Sequence, residues 1–347
     1  MHALPSATSS NALRGVHGSI AAVSCNDAPT NKRTVIAAAK PRTRSLRSRE
    51  TDRVASTSRL VLSATVDIPV REASGVTVRR AAGTMTVMVV GDATAEVAIC
   101  RVGTDGDLAE WSVLDLGALP GWPLPPGDSQ FESIASDGGS LVAVMREDPP
   151  VVLVADTTTR ELRAEIELAA PKGSLLDGHW DDPSSRGEGM TLLRGGRLLI
   201  AQEKRPQALI EFGPVGATPR GLSVDDFLGP GESWDAPSGS TRFVPLSMWT
   251  LNGKAKKALR DISSIAVGDD RALWLLSDKS ACLAMMALDD PLPATSGSIE
   301  RFDGVWALPK SSVKPEGIAA LEPGRVLVVM DTTSTTGNGI IATRPTA

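Results

Sequence analysis

A chain of 347 residues with 36 Lys and Arg against 41 Asp and Glu carries a formal charge of −5, which leaves no electrostatic footprint for nucleic acid. Aromatic residues make up 3% and tyrosine is absent, so the stacking platforms of a single-strand binder are missing too. No apolar run reaches the roughly eighteen residues of a membrane span, and the three scattered cysteines, Cys25, Cys100 and Cys282, form no CxxC or Cys/His cluster for zinc.

Residues 1–57 are rich in Ala, Ser, Thr and Arg, poor in acids and without apolar periodicity. They read as a disordered tail or an organelle-targeting segment, with PRTRSLRSRETDR (41–53) as a basic patch. GSIAAVSC (18–25) has a faint likeness to a lipoprotein cleavage site, but its apolar stretch is too short for an export signal. The compartment stays open. From residue 58 the pattern changes. RLVLSATVDI (59–68) reads as a strand, and REASGVTVRRAAGTMTVMVVGDAT then opens a repeat, with Ser74 in a first slot and Asp92 in a second. QFESIASDGGSLVAVMRED carries Glu132 and Glu147 in the same slots, fifteen residues apart. RGEGMTLLRGGRLLIAQEK carries Glu188 and Glu203, RDISSIAVGDDRALWLLSDKS carries Ser263 and Asp278, and KPEGIAALEPGRVLVVMDTT carries Glu316 and Asp331, all at the same spacing. The first copy is three residues longer. Where the first slot is serine, an acid stands two residues earlier, Glu72 or Asp261.

Each copy reads as strand, turn, strand, with Gly138-Gly139, Gly195-Gly196, Asp269-Asp270 and Pro323-Gly324 at the turns. The second strands, such as RLLIAQ and RVLVVM, are continuous apolar runs, as expected of strands buried on both faces. A third strand-like run follows, and sometimes a fourth. This pattern predicts an all-β fold, a five-bladed β-propeller over 58–347. A six-bladed ring is the alternative, because the stretch 218–260 between the third and fourth copies is long enough to hide a blade. An outer excursion is preferred there, since it contains no acidic first slot. RLVLSATVDI is expected to complete the last blade, which lacks a strand at the C-terminus.

EASGVT, FESIA, GEGMTLL, DISSIAV and PEGIA, in that order, together with AQEKRPQALIEF and LLSDKSACL, resemble the SdiA-regulated (YjiK-like) family. The resemblance covers about residues 60–335 and leaves out the tail and the 218–260 stretch. It implies a five-bladed propeller distantly similar to NHL-repeat propellers, with a calcium site, and no established reaction.

In a propeller the innermost strand of each blade lines the channel, so equivalent positions at its leading end form a ring at one mouth. That ring would be Ser74, Glu132, Glu188, Ser263 and Glu316. Converging carboxylates repel and raise one another's pKa values unless a cation sits among them. Ca²⁺ suits an irregular oxygen-only site. The expected ligands are Glu132, Glu188 and Glu316, with Glu72 and Asp261 adding charge beside the serines. Repeated acids at strand ends also serve as blade-to-blade locks, and the second-slot residues Asp92, Glu147, Glu203, Asp278 and Asp331 fit that role better. If there is catalysis, it is expected to be calcium-dependent hydrolysis of a small ester, lactone or phosphoester, with Glu203 or His179 as candidate base. The alternative is a non-enzymatic module, a monomer taking a small molecule or peptide at the channel mouth. Some of Trp111, Trp122, Trp180, Trp234, Trp249 and Trp306 would then be exposed, while Trp274 lies in the core.

Overall fold

The computed structural model describes residues 58–81, 83–125 and 129–345. The tail 1–57, with its expected disorder or targeting role, lies outside the described residues. After the leading strand β1 (Val61–Val66) comes a first sheet of β2 (Ala73–Ala81), β3 (Thr84–Gly91), β4 (Glu96–Arg101) and β5 (Trp111–Asp115). A second unit holds β6 (Phe131–Ser136), β7 (Leu141–Arg146), β8 (Val151–Asp156) and β9 (Glu161–Leu168). The third holds β10 (Arg186–Leu193), β11 (Arg197–Gln202), β12 (Ala208–Pro214) and β13 (Gly239–Leu251). The fourth holds β14 (Ser264–Val267), β15 (Leu273–Ser277) and β16 (Cys282–Met286), then β17 (Gly297–Ile299) outside it, and β18 (Gly304–Ala307). The last holds β19 (Pro315–Glu322), β20 (Arg325–Met330) and β21 (Gly339–Thr343), and β1 completes it by pairing antiparallel with β21. Within each unit the strands meander antiparallel. The architecture is all-β and propeller-like. Among the described residues only α1 (Gly253–Ala258) is α-helical, and no helix is long and apolar enough to cross a membrane.

The inner strands lie side by side in the order β2, β6, β10, β14, β19 and back to β2. Their approach is close because small residues follow the first slot. A Cβ on Gly75 would stand 2.9 Å from Ser133 Cα, and one on Gly189 would stand 2.5 Å from Ile265 N. The recurring Gly or Ser in SGV, ESI, EGM, SSI and EGI is thus a packing requirement of strands crowded round an axis.

The second strand of each repeat divides its side chains between two cores, as the period of two demands. On β11, Leu198 and Ile200 face the core shared with the second unit, while Leu199 and Ala201 face the core shared with the fourth. On β20, Val326 and Val328 face one neighbour and Leu327 and Val329 the other. Burying each such Val or Leu is worth about 1.5–3 kcal/mol, which is why these runs are uninterruptedly apolar. Cys100 and Cys282 belong to the same interior as buried free thiols.

The stretch 218–260 forms no sheet of its own. Its long strand β13 pairs antiparallel with β12 and parallel with β9 and β17, which welds the second and third units into one nine-stranded sheet. A buried ion network roots it. Arg197 on β11 bonds the Glu211 carboxylate and, at 2.6 Å, Asp226, and Glu211 also accepts the backbone N–H groups of Arg220 and Gly221. The loop that follows crosses the channel end remote from the first slots. Gly231 donates to Arg80 O, Gly138 to Glu232 O, and Trp234 N–H to the Asp137 carboxylate.

Candidate functional site

The first-slot residues share a local geometry that their spacing alone does not reveal. Strand register shifts at Ser74, at Glu132, across Gly187-Glu188 and at Glu316, so each of these residues is the extra one of a β-bulge. In the fourth repeat Ser263 N–H bonds Leu276 O, the same residue with which Ser264 pairs. A bulge re-aims a side chain out of the ladder, here toward the axis. Two residues earlier, Glu72, Gln130 and Lys314 all adopt a left-handed backbone, with φ of 51°, 47° and 46°. Such a conformation is costly for residues bearing a Cβ.

The five expected ligands, Glu72, Glu132, Glu188, Asp261 and Glu316, line one cavity of about 360 Å³. So do four of the five second-slot acids, Asp92, Glu203, Asp278 and Asp331; Glu147 does not. The antiparallel turn explains the pairing of slots, since it returns the end of each second strand to the start of the first. Of the second-slot acids, Glu203 links two repeats by pairing with Lys279 of the next, and other groups add to this locking. Ser74 and Ser263 donate to Phe131 O and Pro315 O, the carbonyls just before the next repeat's first slot. Backbone N–H groups do the rest: Gln130 bonds Asp92 O at 3.0 Å, Ile262 bonds Glu203 O at 3.3 Å, and Glu72 bonds Thr332 O at 2.7 Å. The serines are therefore locks. The Glu132 and Glu188 carboxylates have no hydrogen-bond or ion-pair partner among the described residues.

Burial and mutual repulsion leave their mark. Desolvation, then Glu147, Asp92 and Glu316, push Glu132 up to about 8, with Lys314 opposing. Burial, then Glu132, Glu316, Glu203 and Glu147, push Glu188 well above the carboxylate range. Glu316 rises to about 7, mainly through burial, although Lys314 counteracts. Asp92 is raised by burial and by Glu72, and its Oδ1 is a buried oxygen without a hydrogen-bond partner.

Sequence reasoning missed the lysines. Lys204 and Lys279 both bind the Glu203 carboxylate, and Lys279 lies 3.5 Å from Asp261. Lys314 binds Asp331 and stands 4.0 Å from Glu316. The signal was available: Lys204 and Lys279 directly follow second-slot acids, and Lys314 holds the position two before the first slot that Glu72 and Asp261 hold elsewhere. Asp261 is further engaged by the Ser277 hydroxyl and the Lys279 N–H.

The donor set, all oxygen and rich in unpaired carboxylate, fits a hard cation in chemistry. Its spacing is open: among the described residues no three acid, histidine or cysteine side chains are grouped closely enough to hold a metal ion. The side chains must converge further to share one.

The candidate bases fare differently. Glu203 lines the cavity but is held by two ammonium groups, whereas His179 sits exposed on a turn away from the cavity, with its carbonyl bonded by Gln202. The expected exposed tryptophans are a correction. Trp180, Trp234 and Trp249 are buried, and Trp111, Trp122 and Trp306 are half-buried, because their rings complete cores at unit edges.

No family model and no curated protein matches the chain, so the SdiA-regulated resemblance rests on its sequence segments alone. Among solved structures it is similar to glutaminyl cyclase of Myxococcus xanthus, at 11% identity over 83% of this chain and 97% of that one, with a TM-score of 0.44. A streptogramin B lyase matches at 12% over 82% and 97%, with a TM-score of 0.43. The PQQ-bound aldose sugar dehydrogenase of Streptomyces coelicolor matches at 14% over 82% and 96%, with a TM-score of 0.41. At this level nothing of their chemistry transfers.

Proposed function

We propose that this chain is a five-bladed propeller of the SdiA-regulated type whose acidic channel mouth binds Ca²⁺ and presents it to an oxygen-bearing small molecule or peptide. One observation carries the reading: Glu132 and Glu188 face a shared cavity without partners among the described residues, at carboxyl pKa values raised by burial and by neighbouring carboxylates. A divalent ion would offset both the burial and the repulsion at once. Glu132, Glu188 and Glu316 would hold it, with Asp92 and Glu72 within the same cavity to add charge. The ion would supply Lewis acidity toward a ligand oxygen.

Of the two uses of such an ion, binding without turnover is favoured over hydrolysis of an ester, lactone or phosphoester. Glu203 is occupied by Lys204 and Lys279, and His179 lies outside the cavity, so neither candidate base is free to take a proton from water.

The test is a calcium titration followed by thermal melting. Stabilisation by a ligand of the native state is RT ln(1 + [L]/Kd), about 2.7 kcal/mol at a hundredfold excess. Millimolar calcium should raise Tm, and magnesium, which keeps its waters and demands an octahedron, should raise it less. Glu188→Gln should abolish the calcium shift. Equal destabilisation of that variant with and without calcium would instead make Glu188 a structural residue. Ester or lactone turnover lost on chelation would restore the hydrolase reading.

A further inference from the structure

We infer that Lys314 is a tethered cation that occupies the charge of the acidic mouth and must withdraw for a divalent ion to bind, so that this one side chain sets the affinity of the site. The inference rests on the cation reading above and deepens it.

Three observations converge on Lys314. Its backbone is left-handed, at φ 46°, which a Cβ-bearing residue adopts only where its surroundings enforce it. That turn places a base at the position where the first and fourth repeats place the acids Glu72 and Asp261. The side chain then lines the cavity and engages Asp331 from the second slot and Glu316, 4.0 Å away, from the first. Its field reaches further than those contacts, since it also opposes the upward shifts of Asp92, Glu132 and Asp278, acids of three other repeats. Lys204 and Lys279 are different: both are committed to Glu203 at one side of the mouth.

A divalent ion among these carboxylates would meet the ammonium as a like charge a few ångströms away, a repulsion that survives even at an intermediate dielectric. Lys314 therefore has to swing out, breaking its ion pairs, before Glu316 can join Glu132 and Glu188.

The experiment is isothermal calorimetry with calcium alone, on metal-stripped full-length protein, comparing wild type with Lys314→Met, Lys314→Gln and Lys314→Arg. Lys310→Met, at an exposed site outside the cavity, controls for the change in net charge. We expect Lys314→Met to bind calcium about tenfold tighter or more, on the scale of one nearby like charge removed. Lys310→Met should match wild type, and Lys314→Arg should gain nothing. The metal-free Tm of Lys314→Met should fall further than that of Lys310→Met and recover with calcium. Lys314→Gln replaces it if the methionine variant does not fold. Calcium binding by wild type that is unchanged or weakened in Lys314→Met overturns the inference and leaves the cation reading standing. Absence of calcium binding in wild type and both neutral variants overturns the two together.

Discussion

The two ends of the channel are built from the same five inner strands and could hardly differ more. At the leading end the strands begin in bulges and left-handed turns, and carboxylates from every repeat surround a cavity of about 360 Å³. At the far end they finish under the loop 227–234, where Arg80 pairs with Asp269 and bonds Ala320 O, and where Asp137 satisfies the N–H groups of Gly139, Leu141 and Trp234. Arg80 and Asp137 at the capped end are paired within the chain. At the leading end Glu132 and Glu188 have no partner among the described residues. Buried carboxylates without partners, on the same strands whose charged groups are paired at the other end, single out the leading end as the candidate site.

The largest expected effect tests the capped end. Asp226 is adjacent to the loop that crosses the channel, and it is held, with Glu211, by Arg197. Removing one partner of a buried ion network leaves the others uncompensated and costs about 3–5 kcal/mol. Arg197→Ala should therefore lower the urea midpoint strongly and expose the 218–236 segment to protease before the strands. Wild-type stability in that variant would mean that the network only fills space.

A smaller effect, of characteristic sign, tests the acidic end. Glu132 is raised from an ordinary 4.5 to about 8 and Glu316 to about 7, so the folded state holds protons there that the unfolded chain has released. Where the native state binds more protons, stability falls as pH rises. The metal-free protein should thus lose stability between about pH 4.5 and about pH 8, and Glu132→Gln should flatten that slope. Melting curves across the range in chelator check it. A flat wild-type profile would mean that the carboxylates are already neutralised, and saturating calcium should produce just that flatness.

Much of this division was legible in the sequence. The fifteen-residue spacing survives because both slots sit at one end of a hairpin whose length the core fixes, and apolar runs such as RLLIAQ record burial on two faces. The closing strand was readable too, since the last repeat lacks a strand at the C-terminus and Val61–Val66 fills that place beside β21. What escaped notice depends on contacts between distant segments. Ser74 and Ser263 share a slot with the glutamates, yet their short hydroxyls reach only the neighbouring strand's carbonyl. Lys279 and Lys314 escaped notice because they meet Glu203 and Asp331, carboxylates from distant segments. The cap at 227–234 carries no periodicity at all, and the tryptophans next to such segments looked free when they were packed.

The smallest expected effect asks whether the two ends are independent. Arg80 lies near the end of β2, at the opposite end of the strand from Ser74, and its guanidinium is desolvated, paired with Asp269 and bonded to a backbone carbonyl of β19. Arg80→Met keeps the length of the aliphatic stem while removing the charge, so packing along the stem survives and the polar contacts are lost. A hydrogen bond to a charged group contributes about 1.5–3 kcal/mol, and the partial exposure of Asp269 puts this pair at the low end. The variant should melt slightly below wild type and show greater amide exchange at Gly231 and Gly138, which bond across the cap. Its calcium-induced shift in Tm should match that of wild type, because Arg80 and the carboxylates lie at opposite ends of β2 and, among the described residues, share no contact. A calcium shift that changes with Arg80→Met would show the two mouths to be coupled through the inner strands, and the cap would then belong to the site rather than merely closing the channel behind it.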